Sequence, residues 1–267
     1  MNDFRIIDTH CHLDFKELKT RLDEVIKDAK INNITDMVTI STNLSRIDVI
    51  KKISEQYQEV FFTVGVHPNE AHKDKQYNDH YFMENYSKHE KCVGIGEGGL
   101  DYFYNKENMK LQKRSLEVQI NVARSTNLPM VIHSRDADDD MIDILRAEYK
   151  NGPFKAILHC FSSGEELAYC GLDLDFFISF SGILTFNSAK NIQQIAKNIP
   201  FNKILIETDS PYLAPSPVRG SVNEPKNCIH TAQFLSNLRD INFLELSKIL
   251  YNNSLNVYNK IKLWKNR

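Results

Sequence analysis

Residues 6–12 read Ile-Ile-Asp-Thr-His-Cys-His, an apolar run that ends in two histidines one residue apart. On an extended strand alternate residues share a face, so the His10 and His12 imidazoles point together while Cys11 turns into packing. The pattern returns along the chain. Glu97 closes Cys-Val-Gly-Ile-Gly-Glu (92–97), and His133 closes Pro-Met-Val-Ile-His (129–133). His159 lies in Lys-Ala-Ile-Leu-His-Cys-Phe (155–161), and Asp209 ends Lys-Ile-Leu-Ile-Glu-Thr-Asp (203–209). Each run is rich in residues that suit a strand covered on both faces, as in a parallel sheet. Residues scattered over a surface would not land repeatedly at strand ends.

Working outward, eight such runs occur: Arg5–Thr9, Asp36–Ser41, Val60–Val66, Cys92–Glu97, Pro129–His133, Lys155–Phe161, Phe176–Ser181 and Lys203–Asp209. Helical periodicity fills the intervals near Phe15–Ile31, Leu44–Tyr57, Glu107–Thr126, Asp138–Tyr149, Gly164–Gly171 and Ser188–Asn198, and again in the tail Phe243–Lys260. In the third of these, Leu116, Ile120 and Ala123 form a packing stripe. Alternating strands and helices imply an α/β fold. Eight repeats in 267 residues match a (β/α)8 TIM barrel, which needs roughly 250. No linker divides the chain, so 1–267 reads as a single domain. The polar, strand-free stretch Asn69–Glu90 reads as an excursion between two barrel strands. An open doubly wound sheet would call for a GxGxxG or Walker loop, and neither is present.

The alternative for Glu97 is an ion pair, and for Asp209 a helix N-cap or a salt-bridged acid. An ionised carboxylate at the end of a buried strand is costly unless it is partnered, and a divalent cation removes that cost. Four histidines and two carboxylates exceed the donors one zinc takes. They suit two divalent ions (Mg, Mn or Zn) that share a carboxylate. Paired ions roughly 3.5–4 Å apart acidify a water and clamp a phosphoryl oxygen, and the same arrangement can hydrolyse an amide, ester or lactone.

The formal net charge is -2, so composition gives no sign of a broad basic surface for nucleic acid. The five cysteines, Cys11, Cys92, Cys160, Cys170 and Cys228, form no CxxC pair and fit reduced, packed thiols. Strand alternation would turn Cys11 and Cys160 away from their histidine neighbours. No signal peptide is visible, and no apolar run approaches the ~20 residues of a membrane span. A cytoplasmic, monomeric protein with no membrane partner is the expectation.

With these residues in place the chain resembles the TatD-family metal-dependent deoxyribonucleases, within the amidohydrolase-like barrels. The resemblance runs nearly the full length. It rests on IDTHCHLD from residue 7, GVHP at 65–68, GEGGLDY at 96–102, VIHSRDA at 131–137, LHCFSSG at 158–164, FISFSGILTF at 177–186, IETDSPYLAP at 206–215 and RGSVNEP at 219–225. It implies that His10, His12, Glu97 and Asp209 hold one ion, and Glu97, His133 and His159 the second. It further implies that Asp209 acts as general base and that His67 contacts the substrate phosphate or an ion. Arg135 is a candidate phosphate contact, or alternatively a salt-bridge partner of Asp136 or Asp138. Asp8 is a candidate partner for His10. Asp101, Tyr102, Asn223 and Glu224 match motif positions that read as structural loops, and His72, His80, His89 and His230 as surface. The family commonly carries a His-Arg-Gly-Lys-Arg-like run before Asn-Glu-Pro. Here it is Val218-Arg219-Gly220-Ser221-Val222, leaving Arg219 as the one basic contact to a phosphate backbone. Gly98 replaces a commonly branched apolar residue, a packing change. The expected activity is removal of nucleotides from the 3′ ends of single-stranded DNA. The alternative is hydrolysis of an acyl ester or amide, in D-aminoacyl-tRNA or a small molecule.

Overall fold

The apolar runs become β1 (Ile6–Cys11), β2 (Ile34–Thr39), β3 (Val60–Val64), β4 (Cys92–Asp101), β5 (Met130–Arg135), β6 (Ala156–Leu158), β7 (Phe177–Phe180) and β8 (Ile204–Ile206). The structure, a computed structural model, describes residues 4–73 and 80–266. The strands form one sheet in sequential order, every neighbouring pair parallel. β1 meets the chain just beyond β8: Asp209 N–H donates to His10 O (2.9 Å), His12 N–H to Ser210 O (2.8 Å) and Thr9 Oγ1 to Ile206 O (2.8 Å). These bonds draw the sheet into a TIM barrel.

The helices are α1 (Lys16–Lys19), α2 (Leu22–Ile31), α3 (Ile47–Gln56), α4 (His80–Ser87), α5 (Met109–Thr126), α6 (Asp138–Asn151), α7 (Glu165–Asp173), α8 (Lys190–Asn198), α9 (Cys228–Leu238), α10 (Phe243–Val257) and α11 (Asn259–Lys265). They cover the barrel with one large apolar layer, in which Met37, Phe62, Ile95 and Ile132 of the strands meet Ile50, Leu116, Leu145 and Leu250 of the helices. A separate cluster takes Val38, Phe61, Val93, Val131, Ile157 and Leu205 from six different strands and packs them with Val257, Tyr258 and Ile261. This is the barrel interior, plugged by the C-terminal segment. The plug sits at the amino-terminal ends of the strands: Lys260 Nζ donates to Ser87 O and His89 O, just before β4, and Lys265 pairs with Asp36 at the start of β2.

Some boundaries differ from the sequence expectation. β6 and β8 are three residues each, so His159 and Asp209 lie beyond their strands, while β4 runs past Glu97 to Asp101. The Asn69–Glu90 excursion contains α4, and its residues 74–79 lie outside the described residues. The Phe15–Ile31 and Phe243–Lys260 helices each split in two. Helix α9 was not expected, although its buried Cys228, Thr231, Ala232 and Leu235 recur at helical spacing.

Candidate metal centre

The six expected ligands come together at the carboxyl ends of the strands, where TIM barrels carry their sites. Glu97 is the hub. Its Oε1 lies 2.7 Å from His159 Nε2, 3.0 Å from His133 Nδ1 and 3.5 Å from His67 Nε2. Its Oε2 turns the other way, 3.4 Å from His10 Nε2. On that second side Asp209 Oδ1 lies 3.5 Å from His10 Nε2 and 3.3 Å from His12 Nε2. Three groups of ligand-type atoms result, each within 4.8 Å: His10, Glu97 and His159; His10, His12 and Asp209; and His67, Asp101 and His133.

Local backbone explains how these side chains are presented. Gly96 has φ 118, and a Cβ there would stand 2.6 Å from Val131 O, so only glycine lets β4 lie close enough to β5 to aim Glu97 inward. Asp209 (φ 54) and Cys160 (φ 43) both adopt the left-handed region. Such conformations concentrate at functional sites.

The electrostatics demand positive charge. Burial by itself would raise the Glu97 carboxyl, yet the charge of His159 and hydrogen bonds from His10 and His133 hold it well below the usual carboxylate range. Burial likewise opposes the His159 imidazolium, but Glu97 and Glu207 raise that group well above its ordinary value. Asp209 is held low against burial by His12 and His10. Burial lowers His67 to about 4, and its Nδ1 accepts from Asn69 N–H (3.0 Å), which leaves the proton on Nε2, facing Glu97. The donor set therefore fits divalent cations: mixed nitrogen and carboxylate oxygen around buried negative charge that otherwise needs protons.

Two carboxylates stand behind the histidines. Glu207 is fully buried, 3.2 Å from His159 Nδ1, and it accepts from Cys160 N–H (2.8 Å) and the Ser179 hydroxyl. Asp101 Oδ2 lies 3.3 Å from His133 Nε2; hydrogen bonds from Asn69 Nδ2 and from the N–H groups of Phe103 and Tyr104 fix it. Burial would raise Asp101, but His133 and these donors bring it to about 2. Neither role follows from the sequence pattern: Asp101 matches a motif position that reads as a structural loop, and the one signal at Glu207 is a carboxylate inside a buried run. Nδ1 of His10 and of His12 has no hydrogen-bond partner among the described residues, and His133 Nε2 has only the ion-pair contact with Asp101. Asp8, the partner expected for His10, instead accepts from Thr208 N–H (2.9 Å) and Oγ1 (2.6 Å), and reaches His10 only at its backbone N–H (3.4 Å).

A cleft of about 1360 Å³ opens over the centre, lined by His12, His67, Arg135 and Asp209 among others. Arg135 makes no salt bridge to Asp136 or Asp138; it lies over the rings of Phe103 (4.0 Å) and Tyr104 (4.7 Å). Arg219 stands outside the cleft, exposed, over Phe186 at 3.9 Å. Cys11 turns away as expected, donating to Val38 O (3.4 Å). Cys160 does not: it lies off the strand and lines the cleft, its Sγ 3.1 Å from Ser181 Oγ, with burial pushing the thiol up. Tyr102 donates to Asp140 (2.6 Å), Asn223 Nδ2 to Thr208 O (3.0 Å), and Glu224 pairs with Arg21, all structural contacts. His72 is exposed, whereas His80, His89 and His230 are half-buried rather than fully at the surface.

The family model described as TatD related DNase matches residues 7–259. The chain is 35% identical over 253 residues to YabD of Bacillus subtilis (strain 168), described as an uncharacterized metal-dependent hydrolase, covering 95% of this chain and 98% of the other. It is 35% identical to YcfH of Escherichia coli (strain K12), which carries the same description, covering 93% of each chain. Among solved structures it is similar to YJJV, a TatD homolog from Escherichia coli, with a TM-score of 0.89 and 24% identity over 97% of this chain and 99% of that one. No helix among the described residues is long and apolar enough to cross a membrane.

Proposed function

The chain belongs to the TatD-related DNase family of metal-dependent hydrolases, and from that premise we propose that it cleaves DNA phosphodiester bonds, as a 3′ to 5′ exonuclease on single strands. The observation that carries the reading is the opposed pair of Glu97 oxygens, one facing His133 and His159, the other facing His10 beside His12 and Asp209. In this reading His10, His12, Glu97 and Asp209 hold one divalent ion, and Glu97, His133 and His159 hold a second. When bound, such a pair supplies Lewis acidity to a phosphoryl oxygen and lowers the pKa of a water. Asp209, kept ionised by His12 and His10, opens on the cleft and takes the proton of the attacking water at a carboxylate oxygen. His67, neutral with its proton on Nε2, donates to a non-bridging phosphate oxygen. Arg135, at the cleft rim, supplies a fixed positive charge to the same phosphate or its neighbour.

The test is hydrolysis of a 3′-labelled and a 5′-labelled single-stranded oligonucleotide by metal-stripped protein, with Mg, Mn or Zn added back and Asp209→Asn as control. Metal-dependent, stepwise loss from the 3′ end that vanishes in the variant is the expected result. No cleavage under any metal, with the ions measured as bound, overturns it and turns attention to acyl ester or amide substrates.

A further inference from the structure

The cleft carries exposed aromatic rings on two opposite rims. On one, Phe103 and Tyr104 follow the end of β4 and are 56% and 68% exposed, their rings 4.7 Å apart and perpendicular. Arg135, from the end of β5, lies over both. On the other, Tyr212 follows the chain beyond β8 and is 55% exposed; its ring meets that of Phe15 edge-on at 6.0 Å, and Phe15 in turn stacks on His12 at 4.7 Å. In the strand order β1 to β8, the β4–β5 and β8–β1 positions lie across the barrel from one another. The metal-ligand residues lie between the two rims.

The pairing of exposed aromatic rings with a guanidinium is the kind of surface on which unstacked bases settle. Arg135 forms no salt bridge among the described residues, so its charge is available to a polyanion. The cleft volume of about 1360 Å³ exceeds the roughly 300–1,000 Å³ typical of a small-molecule pocket. A net charge of -2 argues against a grip made mainly by phosphate neutralisation, whereas stacking needs no excess of basic residues.

We propose that the Tyr104 rim and the Tyr212 rim stack the bases on either side of the scissile phosphodiester of a single DNA strand, drawing the strand across the mouth of the barrel. The proposal rests on the nuclease reading above and adds to it where the bases go. It assigns the grip lost at Val218–Val222 to aromatic rings on the two rims.

The experiment is steady-state cleavage by Mn-loaded protein of a thymidine oligonucleotide and of oligonucleotides in which single nucleotides near the 3′ end are abasic. Tyr104→Ala and Tyr212→Ala are each expected to lower kcat/KM roughly tenfold or more through KM. Tyr→Phe at either position restores it, which separates stacking from misfolding. Each alanine variant becomes indifferent to the abasic position that weakens the parent. If the parent cleaves the oligonucleotide but neither alanine substitution nor an abasic nucleotide changes KM, stacking is overturned while the nuclease reading stands. If the parent cleaves no oligonucleotide with its ions bound, the nuclease reading falls and takes this inference with it.

Discussion

The two ends of the barrel interior are built on opposite terms. At the amino-terminal ends of the strands, Val38, Phe61, Val93 and Leu205 close on Tyr258 and Ile261, a cluster buried and apolar throughout but for the Tyr258 hydroxyl, which is hydrogen-bonded. At the carboxyl ends, histidines and acids crowd together, His10 and His12 each leave a ring nitrogen unpartnered, and Asp209 and Cys160 hold left-handed backbone. The same eight strands thus separate a region optimised for packing from one crowded with buried ionisable groups and strained backbone. Such strain persists where the surrounding structure over-determines it, here the rest of the barrel. Substitutions at the plug should therefore register as lost stability, and substitutions at the mouth as lost chemistry.

The largest expected effect is at the mouth. Asp209→Asn keeps the shape and the tolerance for left-handed backbone but removes the proton acceptor, so turnover at saturating metal should fall by about 10²–10⁴-fold with the thermal melt of the metal-free protein nearly unchanged. A melt that drops as far as that of a plug variant would break the division of labour. Phe61→Ala is the counterpart at the plug: emptying a fully buried phenylalanine should cost about 3–5 kcal/mol in urea unfolding, with kcat per folded molecule preserved. If kcat falls in step with stability, the two ends are coupled.

Support for the ligands can be tested next. Glu207→Gln removes the charge behind His159 while keeping a group of the same size, and metal affinity should weaken by about 10–100-fold, as expected when an outer carboxylate is lost. Isothermal titration of metal into stripped protein measures this directly. An unchanged affinity would mean that Ser179 and the Cys160 N–H merely satisfy a buried acid there.

Glu207 also marks how far the sequence could be read. The eight runs, their parallel order and the six ligand-type residues at their ends were legible because hydrophobic periodicity and strand alternation are local. What lay hidden depended on partners distant in the chain. Nothing around residue 207 announces a histidine 48 positions earlier, and Asp101 acquires its place behind His133 only when β4 runs on beside β5. Cys160 departs from the alternation rule because β6 stops at Leu158 and the backbone turns left-handed at Cys160 itself. The sequence offers Arg135 only its neighbours Asp136 and Asp138 as partners, whereas the rings it meets come from the end of another strand. Two features do carry local signals: the helical spacing of α9 and the carboxylate of Glu207 inside a buried run.

The smallest effect sharpens the comparison most, because it touches a hydroxyl that links the plug to β1. Tyr258 is fully buried among the plug residues and donates its hydroxyl to Thr9 O at 3.2 Å, one residue from His10. Tyr258→Phe keeps the ring and its packing and deletes that bond, so unfolding free energy should fall by about 0.5–1.5 kcal/mol. Thr9 stays tied to the β8 side by its own hydroxyl on Ile206 O at 2.8 Å. The His10 ring should therefore keep its place, and metal affinity should match the parent. A loss of affinity in this variant would show that the plug holds the first histidine in register, and the two ends would then have to be treated as one cooperative unit.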